Sequence, residues 1–160
     1  MQREQLKDAI PTIRLLQQSS LKESTFHEYK GADALVNILT RFLDYHEPIL
    51  AWGVPKTAYF FLKNKIEHFH AERLKRKVLM MHIYNSTAYE RIKVLKKLPY
   101  TKVRILPELY DSEVATNVCA DEVVFVLFKA PVTIFLIKNK EMADAYKRYF
   151  ELLWKNAKKV

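Results

Sequence analysis

VLMMHIYNSTAYERIKVL, residues 78–95, holds in eighteen positions the reading that decides the fold. Residues 78–84 form an apolar run broken only by His82, the pattern of a short strand covered on both faces. Asn85 and Ser86 end it, and Thr87 with Glu90 three residues on has the form of a capping box for a helix carrying Tyr89, Ile92, Val94 and Leu95. Residues 102–106, KVRIL, are again strand-like and stop at Pro107. Strand, helix and strand in so short a span make a crossover whose two strands lie parallel. Working upstream, Ile49-Leu50-Ala51-Trp52 is another short apolar run, closed by Gly53. Pro55 suits a first helical position, and Phe61, Leu62, Ile66, Phe69 and Leu74 mark a long amphipathic helix. Before it, residues 24–30 alternate weakly up to Gly31. Ala34, Leu35, Ile38, Leu39 and Phe42 then give a helix stopped by Pro48, a first β–α step.

Downstream the pattern changes. Residues 113–119, 123–128 and 132–137 are β-rich runs separated by Ala120-Asp121 and Ala130-Pro131, and loops this short require antiparallel pairing. A last helix, capped by Asn139, carries Met142, Tyr146, Tyr149, Phe150, Leu153 and Ala157 on one face. The expected class is therefore α/β, a mixed sheet flanked by helices, with β–α repeats followed by an antiparallel meander and a C-terminal helix. Ahead of this, Leu6, Ile10, Ile13 and Leu16 recur at helical spacing around Pro11, so residues 1–23 read as a short outrigger and residues 24–160 as one domain.

Composition narrows the function classes. The chain has 160 residues, 49% of them hydrophobic, with two glycines and six prolines, enough apolar content for one core and no sign of a flexible linker. The single cysteine, Cys119, offers no internal disulfide, which fits a reducing, cytoplasmic setting. The charged start, MQREQLKDAIP, lacks the apolar core of a secretory signal, and no run approaches membrane-spanning length. A net charge of +9 admits an anionic partner. Lys63, Lys65, Arg73, Lys75, Arg76 and Lys77 on one helix are the candidates to meet nucleic-acid phosphates, and the same cations are also what a solvated helix face carries.

Catalytic and metal motifs are scarce. His68 and Glu72 share a helix face but want a third ligand, and His82 reads as a hydrogen-bonded core histidine. Gly31 and Gly53 stand alone, so neither a P-loop nor a dinucleotide fingerprint can be built. No serine sits in a glycine-flanked elbow, and Cys119 has no basic neighbour to activate it. The expectation is a protein without catalytic residues, metal or cofactor. One region remains: ligands of open α/β sheets collect beyond the carboxyl ends of the parallel strands, where this chain carries Trp52, Gly53, Tyr84, Asn85 and Ser86. Such a group suits a small polar ligand, a sugar or an anion; alternatively Trp52 and Tyr84 are core and Asn85-Ser86 merely start a helix.

The order of segments resembles the effector domain of TrmB-like transcriptional regulators, many of them archaeal. The resemblance is carried by Ala9-Ile10-Pro11 through Leu16, Glu28-Tyr29-Lys30-Gly31-Ala32, Ile49-Leu50-Ala51-Trp52-Gly53, Arg91 after Asn85-Ser86, Val103-Arg104-Ile105-Leu106-Pro107, Ala120-Asp121-Glu122-Val123 and Phe150-Glu151-Leu152-Leu153-Trp154. It implies a phospholipase-D-like fold and a ligand-sensing, homodimerising module, with Leu6, Ile10, Ile13 and Leu16 as dimer contacts. Two features depart from that family. No winged helix-turn-helix precedes residue 24, so DNA would be reached only through a missing or separate domain, and the additional C-terminal β domain that holds sugar in longer members has no counterpart. Phospholipase-D enzymes use a His-x-Lys motif. Here His27, His46, His68, His70 and His82 are followed two positions on by Tyr29, Pro48, His70, Glu72 and Tyr84, which implies the fold without its chemistry.

Overall fold

The computed structural model describes residues 9–15 and 24–160. Residues 9–15 are helical (α1) and all exposed. Then follow β1 (Thr25–Lys30), α2 (Ala32–Phe42), β2 (Ile49–Val54), α3 (Thr57–Lys75), β3 (Met80–Tyr84), α4 (Tyr89–Leu95), β4 (Thr101–Ile105), β5 (Val114–Cys119), β6 (Glu122–Leu127), β7 (Thr133–Lys138), α5 (Lys140–Asn156) and the two-residue β8 (Lys158–Lys159). One eight-stranded sheet runs β1-β7-β6-β5-β2-β3-β4-β8. β2, β3 and β4 are parallel to one another, and every other pairing is antiparallel. The mixed sheet with its meander is the class the sequence specifies.

The layers follow from strand alternation. Ile49 and Ala51 of β2, Met80 of β3 and Ala115 of β5 join Leu35, Leu39 and Phe42 of α2 and Leu62, Ile66 and Phe69 of α3 in the main core. Leu50, Trp52, Met81 and Ile83 point the other way, against Phe150, Leu153 and Trp154 of α5. Across the meander, Glu122 is buried and accepts two bonds from the Arg41 guanidinium (2.7 and 2.9 Å) and one from the Tyr45 hydroxyl (2.9 Å), tying α2 to β6.

Several local expectations are corrected. β1 does not open a parallel β–α step: it pairs antiparallel with β7 at the far edge of the sheet, with Thr25 opposite Lys138. The helix after Pro55 starts at Thr57, with the Pro55 carbonyl accepting from the Ala58 N–H (3.1 Å). It is interrupted at Lys63, whose backbone has φ 44° and ψ −131°. The capping box does not form. Ala88, which has no side-chain acceptor, occupies the cap position of α4 in place of Thr87, and its N–H donates to the Asn85 carbonyl (3.2 Å) in a turn. Asn139 does cap α5, its side-chain oxygen accepting from the Met142 N–H (2.9 Å). The buried face of α5 is Ala143 and Phe150, whereas Met142 and Tyr149 of the expected stripe are exposed.

Candidate functional site

At the carboxyl ends of the parallel strands, β2 finishes in a bulge at Gly53 (φ 68°), where a Cβ would lie 2.9 Å from the Val114 carbonyl oxygen. Only glycine lets β5 approach so closely. The five residues singled out there divide between the two sheet faces. Trp52, in register with Ile83, faces α5, its ring 6.2 Å from Tyr146 and 5.7 Å from Phe150. Tyr84, in register with Val54, faces the opposite layer and stacks on His82 at 5.7 Å. Asn85 is buried and donates to the Ser112 carbonyl (2.8 Å), while the Ser86 N–H and hydroxyl donate to the two oxygens of Asp111 (3.0 and 2.9 Å). Tyr84, Asn85 and Ser86 thus come together, the last two holding segment 111–112 in place; Trp52 lies in the α5 layer.

Beneath this end, between the sheet and helices α3 and α4, is a cavity of about 50 Å³. Its polar lining comes from Tyr59, His70, His82, Tyr84, Arg91 and Asn117 and its apolar lining from residues such as Leu62, Ile66 and Ala115. Two of these polar groups lack partners: the buried His82 Nε2 and one terminal nitrogen of Arg91, a side chain only 10% exposed. The other terminal nitrogen of Arg91 donates to Glu67 (2.5 Å), and its guanidinium lies 4.8 Å over the Tyr59 ring. Asn85 Oδ1 is also buried without a donor.

The electrostatics follow from burial. His70 is pushed down to about 3 by desolvation, aided by the charges of Arg73 and Arg91. His82 is held well below its usual value by burial first, then by His70, Arg73 and Arg91. Burial raises the Tyr84 phenol, against the opposing pull of the Arg91 guanidinium that faces its hydroxyl. All three rings are therefore neutral near pH 7, and the charges in this layer are Arg91, paired with Glu67, and Arg73. Arg73 is fully buried and lowered to about 10, again by desolvation. It donates to the carbonyls of Val78 (2.9 Å) and Tyr100 (2.7 Å), to Thr101 Oγ1 (2.7 Å) and to His70 Nδ1 (3.2 Å), with no carboxylate against it. A small cavity with an unused guanidinium donor, an unpartnered imidazole nitrogen and a second buried guanidinium nearby favours an anion. Its volume exceeds the space one water needs and falls short of a sugar ring.

The other predicted residues are placed as follows. Arg73, expected on the basic face of α3, is turned inward and cannot meet a phosphate. Lys65 pairs with Asp33, Arg76 with Asp44 (2.7 Å) and Glu72 (2.9 Å), Lys75 lies 4.0 Å from Glu72, and Lys63 sits over the Phe60 ring. Lys63, Arg73 and Lys77 of that group have no carboxylate within 4.0 Å among the described residues. Ile10 and Ile13 are exposed on α1; Leu6 and Leu16 lie outside the described residues. Among the described residues no group of three or more His, Cys, Asp or Glu is placed to hold a metal ion, and no helix is long and apolar enough to cross a membrane. Sequence reading missed the convergence of His70, His82, Arg91 and Asn117. Only the lone His82 in an apolar strand signalled it.

Neither a family model nor a curated protein sequence matches the chain. Solved structures share its fold. NucT from Helicobacter pylori superposes with a TM-score of 0.66 at 14% identity, over 86% of this chain and 100% of that one. TrmBL2, an archaeal chromatin protein described as showing a novel mode of DNA binding, superposes at 0.59 with 19% identity, over 99% of this chain and 65% of that one. Nuc from Salmonella typhimurium, a phospholipase D family member, gives 0.59 at 12% identity, over 86% and 99%. The fold is phospholipase-D-like.

Proposed function

We propose that this chain is a non-catalytic, ligand-sensing effector domain of a TrmB-like transcriptional regulator, and that its ligand is a small oxyanion held in the cavity between the sheet, α3 and α4. One observation carries the reading: His82 Nε2 and an Arg91 nitrogen are buried at the same cavity with no partner. Each unmade bond costs about 1–3 kcal/mol, more for the charged group, so a site that leaves two open is poised for an occupant that completes them. The likeness of fold to TrmBL2 along nearly the whole chain supports the regulatory context. In this reading residues 1–23 are a linker and dimerisation helix, residues 24–160 are the effector domain, and the bases of DNA are read through a separate module or partner.

The likeness to NucT and Nuc would equally suit an enzyme, and the sequence argues against one: no histidine is followed two residues on by lysine.

Thermal unfolding with acetate, formate, phosphate, sulfate and glucose tests the proposal, on the native protein and on Arg91→Met. An oxyanion at about a hundred times its Kd stabilises by about 2.7 kcal/mol, or about 5–10 °C for a domain of this size. The native protein should show that shift and Arg91→Met should not. Equal shifts in both, or stabilisation by glucose alone, would remove Arg91 as the recognition element. Turnover of bis(p-nitrophenyl) phosphate by the native protein would overturn the non-catalytic reading.

A further inference from the structure

Away from the cavity, one groove gathers four lysines, of which Lys93 alone meets a carboxylate among the described residues. Lys93 of α4 and Lys96, the residue that caps the helix with helical backbone angles, are three apart and share a face. β8 lies antiparallel on β4, with Ile105 opposite Lys158 on the α4 side and Arg104 opposite Lys159 at the edge of the sheet, and both lysines line one open groove, a space of about 610 Å³. No Asp or Glu is among its lining residues. Lys93 alone has a partner, Glu90 at 2.9 Å on the exposed side of α4, and Asp111, which meets the groove's Ser86, is taken up by it. On α3, by comparison, Lys65 and Arg76 are matched by Asp33, Asp44 and Glu72, and Arg73 is turned into the core.

The lysines sit on a fixed frame. Ala157, just before β8, is buried and its N–H bonds the Leu153 carbonyl (2.8 Å). Arg104 of β4 donates to the Trp154 carbonyl and lies 4.4 Å over the Trp154 ring, locking the end of α5 to the strand that β8 pairs with. Like charges fixed together repel, and a polyanion relieves that repulsion while releasing its own counterions. The cations are spread along the rim of an open groove, not closed around one phosphate. Tyr89, 59% exposed at the same groove, presents a ring on which a base can stack.

We infer that the groove between α4 and β8 binds the phosphodiester backbone of nucleic acid. The inference is independent of the cavity ligand and uses none of its residues.

Fluorescence polarisation of a labelled oligonucleotide of mixed sequence, titrated with the whole chain between about 50 and 200 mM salt, tests it. Engagement of the four lysines gives a log–log slope of about −3 against salt. The variant Lys96→Gln/Lys158→Gln/Lys159→Gln should keep the native unfolding midpoint, lose affinity by at least about tenfold at low salt and bring the slope to about −1. The matching Lys→Arg variant should restore binding, and Lys75→Gln/Lys77→Gln on α3 should leave it unchanged. Native affinity in the triple Gln variant, or an equal loss in the α3 variant, would overturn the assignment. Displacement of the oligonucleotide by equimolar inorganic phosphate would reassign the groove to a single phosphate group. Binding to phosphatidylserine vesicles with none to the oligonucleotide would reassign it to a membrane surface.

Discussion

At the scale of single residues, the interior polar groups set the response of the protein to pH. His70 and His82 are neutral in the fold because burial depresses both, His70 to about 3. In the unfolded chain each takes a proton near pH 6.5. Below that pH the unfolded state binds more protons than the native state, so stability is full above about 6.5 and declines as pH falls toward 3. The loss is about 2 kcal/mol for each imidazole between pH 6.5 and 5. Urea unfolding at a series of pH values should show this slope, and His82→Phe should flatten it by one proton's worth; a free energy independent of pH across that window would contradict the neutral pair. Cys119 follows the same logic with the opposite sign. It is fully buried and its thiol is pushed up to about 12, first by desolvation and then by Glu47. It should resist a disulfide reagent in the native protein and react stoichiometrically once unfolded. Fast labelling of the native protein would mean that the β5 layer opens.

At the scale of elements, α3 is the strained one. Lys63 has φ 44° and ψ −131° inside the helical segment, a combination open to glycine and costly for any side chain. The break has a packing consequence: Ala58 and Leu62 before it and Ile66 and Phe69 after it all reach the main core. Glycine inside a regular helix costs about 1 kcal/mol, but at Lys63 the sign should reverse, so that Lys63→Gly raises the free energy of unfolding by about 1 kcal/mol. A thermal melt measures it, and a destabilisation of the usual helical size would mean that α3 is continuous. Neither this break nor the cavity was legible in the sequence, for a common reason. Apolar runs such as 78–84 and 49–52 state that a strand is buried, and the short breaks after Cys119 and Phe128 state that β5, β6 and β7 are antiparallel, so most elements could be read locally. Which faces coincide depends on register between strands, and register is a property of the pair. Trp52 and Tyr84 both end parallel strands, yet Trp52 aligns with Ile83 and Tyr84 with Val54, so they fall on opposite faces. Arg91 and His70 come from different helices and meet only once α3 and α4 are packed on one side of β3.

At the scale of the whole molecule, the sheet closes its own interior. The meander places β1 against β7 at one edge and the C-terminal β8 against β4 at the other, so the described domain is spanned from end to end by residues 25–159. α1 stands outside that arrangement. Its residues 9–15 are all exposed, Ile10 at 45% and Ile13 at 51%, and none belongs to the packed core. Burying an apolar side chain of that size is worth about 1.5–3 kcal/mol, so a helix that spends nothing on the domain core has that free energy left for a second copy of itself. The dimerisation role proposed for Leu6, Ile10, Ile13 and Leu16 therefore separates cleanly from folding. Removing residues 1–23 should leave the unfolding midpoint of the monomeric domain nearly unchanged and convert a dimer of the full chain to a monomer by light scattering. Ile10→Glu/Ile13→Glu should do the same without shortening the chain. A truncated chain that stays dimeric would place the contact on the domain itself, where Tyr149 and Leu152, exposed on α5, are the apolar residues to substitute next.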